Sequence, residues 1–140
     1  MLLELAVATM MVLITVIIHG GGLVALGRIL RLESHQEHIS HLPPFSTRSL
    51  LFTLALVLCL FTLHGIEIWL YAALYLVVGA VEHLEVGVYF STITYGGIGF
   101  TDAYLDPKWR LVTAIEGVNG VLLLGWSTAF FVAVISRLGR

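Results

Sequence analysis

Residues 88–102 read VYFSTITYGGIGFTD, and the placement of this stretch decides the fold. Its first half, Val88 to Tyr95, has the character of a helix. Its second half is bare, with Gly96, Gly97, Ile98, Gly99 and Phe100 in succession. Glycine accepts backbone angles that other residues refuse and leaves its carbonyl uncovered. The run lies between two hydrophobic segments long enough to cross a bilayer. Non-helical backbone survives at that depth only where it is buried in protein or lines a water-filled path. A loop of carbonyl oxygens around such a path would suit a cation; a plain re-entrant turn or an outer loop would also fit. From the stretch alone, both stand.

Composition narrows the setting. Of 140 residues, 59% are hydrophobic and 11% charged, with mean hydropathy +0.99. That is the make-up of a membrane protein, with room for one domain. A net charge of −2 carries no sign of nucleic-acid binding. The single cysteine, Cys59, excludes an intrachain disulfide and reads as a small buried hydrophobe in an apolar run.

Residues 2–18 are apolar apart from Glu4, Thr9 and Thr15, and the run continues past His19 and Gly20-Gly21-Gly22 to about Leu30. A signal peptide would want a basic start, but Glu4 opens the run and no Lys or Arg precedes Arg28. Residues 1–30 are therefore expected to form a first transmembrane helix, loosened at the three glycines, with His19 in a packing or interfacial role. Residues 31–47 form a polar connector that Pro43-Pro44 prevents from continuing as helix. Its His35, His38 and His41 fall on one side of a helix, as metal ligands or, more simply, as solvated linker residues.

A second apolar run from Arg48 to Ala80 carries only Arg48, His64 and Glu67 as charged or imidazole side chains. At helical rise it would be roughly 48 Å long, so it must tilt or protrude. Residues 82–95 are too short to span and are expected to form a re-entrant helix, with Glu82 and Glu85 in its first turn, where the helix dipole favours acids. The last helix is expected from Pro107 to about Leu138. With three spans, Arg28, Arg31 and Arg48 share a side with Arg137 and Arg140. Lys108 and Arg110 lie opposite, beside Glu82, Glu85, Asp102 and Asp106. The positive-inside rule then puts the connector and C-terminus in the cytoplasm and the acidic rim outside, in the inner (plasma) membrane of the cell.

Read without gaps, YFSTITYGGIGFTD resembles the pore helix and filter of the potassium channel superfamily, in which a YFS-x-x-T-like helix runs into TT-x-GYGD. DPKWRLVTAIEGVNGVLLLGWSTAFF (106–131) is similar to the inner helix, and HGIEIWLYAALYLVVGA (64–80) to the end of the outer helix, of small bacterial two-pore-domain-type "ion channel" proteins. The resemblance covers roughly residues 60 to 137. Within the filter only Gly99 and Asp102 match. The family's threonines fall on Gly96 and Gly97, its aromatic on Phe100 and its last glycine on Thr101.

The resemblance implies an all-α membrane fold with a pore domain at 48–138 made of outer helix, pore helix, filter loop and inner helix. One loop cannot surround an ion, so four copies are implied around one axis. The ion path would run along Gly96, Gly97, Ile98, Gly99, Phe100, Thr101 and Asp102. Gly97 supplies no hydroxyl ring, and Thr101 resists a glycine's backbone at a cost of about 1–3 kcal/mol. Both changes point to weakened preference for potassium over sodium, with monovalent cations as the only ligands and no cofactor. Gly117, Gly120 and Gly125 give the inner helix a small-residue face for packing or bending, with Gly120 near the family's hinge. Gly120, Val121, Leu124 and Thr128 are expected to line the inner cavity.

Two carboxylates, Glu67 and Glu116, fall inside the membrane, where such groups need partners. His64 and Glu67 are i, i+3 on one helix, and Glu116 and Asn119 are i, i+3 on another. A single polar cluster of these four behind the pore helix, within reach of Thr92 or Thr94, would satisfy them. Besides a conducting channel, a non-conducting channel-like protein serving as a partner or regulatory subunit fits the altered loop. A membrane enzyme does not, since no nucleophile, phosphate loop or HExxH pattern supports one.

Overall fold

A computed structural model describes residues 1–34, 47–99 and 105–138, the side chains of 31–34 and 137–138 excepted. The described residues form four α-helices: α1 (Leu2–Ser34), α2 (Thr47–Val77), α3 (Leu84–Tyr95) and α4 (Arg110–Leu138), the last entered through a 3-10 turn at Pro107–Trp109. Among the described residues there is no strand. Three of these helices are long and apolar enough to cross a bilayer, with spans at Leu2–Leu30, Thr47–Val77 and Pro107–Ser136. α3, with 12 residues, is not.

Local chemistry explains where the elements begin and end. α2 stops at Val77, three residues short of the expected Ala80, because Gly79 turns the chain with φ +69°. Its N–H bonds Leu76 O and that of Ala80 bonds Tyr75 O, the paired bonds of a Schellman C-cap. α3 then starts at Leu84, so Glu82 lies before the helix and only Glu85 sits in its first turn. At the far side, Asp106 accepts from Lys108 N at 2.9 Å while Pro107 occupies the first position. Asp106 N also bonds Ala80 O at 3.2 Å, which ties the chain entering α3 to the chain leaving the loop.

α1 is not loosened at its glycines; the helix runs unbroken through Gly20–Gly22. A Cβ on Gly22 would lie 2.7 Å from Leu63 of α2, and one on Gly20 would lie 3.1 Å from the Trp126 ring of α4. These positions are bare because α1 presses on both neighbours there. Cys59, expected inside, is exposed on α2. It shares that surface with Leu58 and Phe61, apolar side chains that suit lipid.

The core forms where α3 lodges between α2 and α4. Tyr71, Tyr75, Phe90, Tyr95, Val112 and Leu123 are buried there, with the Tyr75 and Phe90 rings edge to face at 5.7 Å. The end of α3 rests on the small-residue face of α4: a Cβ on Gly117 would lie 3.4 Å from Thr94 O, and one on Gly120 would overlap the Tyr95 carbonyl and ring. Gly120→Ala is therefore expected to lower stability by about 1–3 kcal/mol by overpacking. Gly65→Ala, where nothing lies within 4 Å of the added carbon, should not. Thermal midpoints of the two variants in one detergent check this, and an equal effect would contradict the packing.

Candidate functional site

The loop after α3 begins as soon as the helix ends. Gly96 keeps helical angles (φ −73°, ψ −5°), and Gly97 then turns the backbone to φ +65°, a conformation that side chains with a branched Cβ resist. The N–H groups of Gly96, Gly97, Ile98 and Gly99 all fold back onto the last turn of α3, onto Thr92 O, Thr94 O, Ile93 O and Ile93 O, at 3.0–3.2 Å. With its donors engaged, what this backbone has to offer a ligand is oxygen. Beside it lies an open cavity of about 620 Å³ lined by Thr94, Gly97, Gly99, Gly117, Val118 and Val121, among others. Thr94 Oγ1 is buried within the chain with no hydrogen-bond partner. Phe100, Thr101 and Asp102 lie outside the described residues, as do His35, His38 and His41.

The residues expected along the inner cavity occupy different environments. Val121 is exposed at the cavity next to Gly97, and Thr128 is exposed with its hydroxyl on Leu124 O. Leu124 is half-buried against the core. Gly120 is buried under Tyr95.

The expected polar residues are all buried, and they divide into three groups. In the first, Glu67 of α2 is fully buried between α1 and α3. His19 Nδ1 lies 2.9 Å from its Oε1, and the Tyr95 hydroxyl hydrogen-bonds its Oε2. His64 Nδ1 is 3.0 Å from Tyr95 Oη and 3.4 Å from Glu67 Oε2. Ser127 of α4 closes the set, with Oγ at 3.0 Å from His64 Nε2 and 3.3 Å from His19 Nε2. In the second group Glu116 accepts from Tyr75 and from Ser91. In the third Asn119 Nδ2 donates to Thr15 Oγ1 at 2.8 Å and lies 3.4 Å from Tyr71 Oη.

The partners expected on α3, Thr92 or Thr94, are replaced by Ser91 and Tyr95. Thr92 bonds Val88 O on the exposed side, and Thr94, although buried on the same side of α3 as Ser91 and Tyr95, directs its hydroxyl to none of these groups. His19 was expected in a packing or interfacial role; it is fully buried and bonded on both ring nitrogens. Its sequence signal was an imidazole in the apolar middle of a helix. The donor atoms of His19, His64 and Glu67 lie within 4.8 Å of one another, and hydrogen bonds account for each of them.

A family model for ion channels matches residues 48–137, from the start of α2 to the end of α4. The chain belongs to the ion channel family. It is a multi-pass membrane protein, and a channel rather than an enzyme. No curated protein and no solved structure matches it. Within this channel, α1 lies outside the matched segment, yet it contributes His19 and Thr15 to two of the three polar groups.

The Glu116 group gives a direct test. An amide at 116 still accepts from Tyr75 through its oxygen, and its N–H can donate to Ser91 Oγ, whose own hydrogen then goes to Ile68 O at 3.1 Å. Glu116→Gln is therefore expected to leave folding and assembly largely intact. Glu116→Leu strands the buried Tyr75 hydroxyl, at about 1–3 kcal/mol, and leaves Ser91 with Ile68 O alone, so it should lower the thermal midpoint clearly. Equal tolerance of both substitutions would mean that the carboxylate makes no use of these partners.

Proposed function

We propose that the channel conducts monovalent cations as a homotetramer, with the loops that begin at Gly96 facing a common axis and with only weak preference for potassium over sodium. The observation that carries this reading is the loop itself: its N–H groups are turned back into α3, leaving carbonyl oxygen as the available backbone group beside an open cavity. Oxygen rings from several copies are what replaces an ion's water. On this reading Gly96, Gly97, Ile98, Gly99, Phe100, Thr101 and Asp102 form the ion path, and Gly120, Val121, Leu124 and Thr128 lie along the inner vestibule. The connector and the C-terminus face the cytoplasm, the arginine-rich side, in the plasma membrane.

Weak selectivity follows from what the loop lacks. Gly96 and Gly97 bring no hydroxyls, so the innermost ring of side-chain oxygen is lost. A tenfold preference corresponds to about 1.4 kcal/mol, so the loss of one or two good sites removes much of it.

Reversal potentials of the purified protein in planar bilayers, under a sodium–potassium gradient, are expected to lie well away from the potassium equilibrium value. A value close to it would refute weak selectivity. Native mass measurement is expected to give four chains, and a monomer or dimer without a central pore would refute the assembly. Tetramers that pass no ion would favour a partner-subunit role. Gly97→Thr alone is expected to cost about 1–3 kcal/mol of stability, because threonine resists this backbone angle, and so to reduce tetramer recovery without restoring potassium preference.

A further inference from the structure

His19, Glu67, Tyr95, His64 and Ser127 meet as a closed circuit. Its five edges are His19 to Glu67, Glu67 to Tyr95, Tyr95 to His64, His64 to Ser127 and Ser127 back to His19. Each edge needs one hydrogen between its two heavy atoms. Tyr95 and Ser127 own one apiece, and each neutral imidazole owns one. That makes four for five edges.

A fifth hydrogen closes the circuit in either of two ways. With Glu67 as carboxylate, His19 donates from both nitrogens, Ser127 donates to His64, His64 to Tyr95 and Tyr95 to Glu67. With Glu67 as carboxylic acid the circulation reverses: Glu67 donates to Tyr95, Tyr95 to His64, His64 to Ser127 and Ser127 to His19, while His19 donates to Glu67. Both states hold the same five hydrogens and no net charge. With four hydrogens, one edge sets two lone pairs against each other and the circuit holds a buried negative charge. Either defect is costly away from water.

We infer that this circuit is a proton site, loaded with five hydrogens in the resting protein, and that release of one of them weakens the docking of α1 on the pore domain. In that release an N–H or O–H bond breaks and its electron pair stays on the circuit, which becomes singly negative. The proton joins hydroxide to form water. His64 is the point of exchange, since its side chain is 11% exposed and those of His19 and Glu67 are 0% exposed.

The titratable groups facing the circuit are His19 from α1, His64, Glu67 and Tyr71 from α2, and Tyr95 from α3. α4 faces it with Ser127 and with the Trp126 ring, 5.5 Å from that of His19. The other fully buried carboxylate among the described residues, Glu116, is engaged by Tyr75 and Ser91. Tyr95 directly precedes Gly96, so the circuit joins α1 to the residue from which the loop departs. This holding of α1 does not depend on whether the loop conducts.

The test is the thermal midpoint of the purified full chain across the range in which imidazoles and phenols titrate, about pH 6 to 10. The wild type is expected to lose several degrees toward the alkaline end. Glu67→Gln supplies the fifth hydrogen as an amide N–H that does not titrate. It should match the wild type near neutrality and stay level as the pH rises. A level wild type, or a Glu67→Gln variant that falls in parallel with it, would overturn the inference. Should Glu67→Gln fail to assemble, nitrogen NMR of the wild-type histidines decides. The His19 and His64 signals must change together at one pH, and separate transitions or none would overturn it. A zinc-class ion retained in stoichiometric amount after chelation would overturn it too, since a metal would displace these hydrogens.

Discussion

Tyr95 is seated from two directions, and the start of the loop depends on both. Its carbonyl lies against the bare Cα of Gly120 on α4, and its hydroxyl reaches Glu67 on α2. A helix of 12 residues is marginal by itself, so α3 exists because its neighbours hold it. Gly87 lets it approach Ala72, where a Cβ would meet the backbone oxygen at 3.2 Å. Ser91 spans from Ile68 O to Glu116. Side chains from both long helices thus fix the point at which regular structure gives way to the glycine run.

Apolar packing alone could not set these positions. All three long helices are apolar on most of their surface, and lipid offers them much the same surroundings as one another's side chains do. What distinguishes one rotation of a helix from another is whether its few polar groups find partners. Glu67, Glu116 and Asn119 each find theirs on other helices, and α1 supplies some of them. Turning α2 by one residue would carry Glu67 away from His19 and Tyr95 and leave a carboxylate in hydrocarbon. The polar groups select a single packing, while the glycines at 22 and 120 permit its closeness.

This division explains what could be read from the residues. Hydropathy gave the three spans and marked 82–95 as too short to cross, because both follow from length and composition. The need of Glu67 and Glu116 for partners was legible for the same reason. Which partners they take was not. It depends on helix rotation, and a helix apolar all round carries no periodic stripe from which to read it. Nothing in the residue pattern singled out Tyr71, Tyr75 and Tyr95, and only the fold shows their hydroxyls aimed at polar groups. The unbroken α1 was missed because glycine in a helix signals loosening and close contact equally well, and the choice lies in Leu63 and Trp126, far along the chain.

Gly97 shows sequence and backbone constraining each other at the loop. From the residues, Thr101 was expected to resist the backbone of the family's last glycine, a position outside the described residues. Among the described residues of the loop, the positive φ falls at Gly97, at +65°. A threonine there would strain, so the missing hydroxyl is not a simple deletion from an otherwise unchanged loop. The N–H groups of Ile98 and Gly99 both turn to Ile93 O, a course that a branched residue at 97 would oppose. The glycine and the path of the chain are one feature. Support for that path comes from behind, through Tyr95, Glu67 and Gly120, where side chains and a close backbone contact supply what the loop's own residues lack.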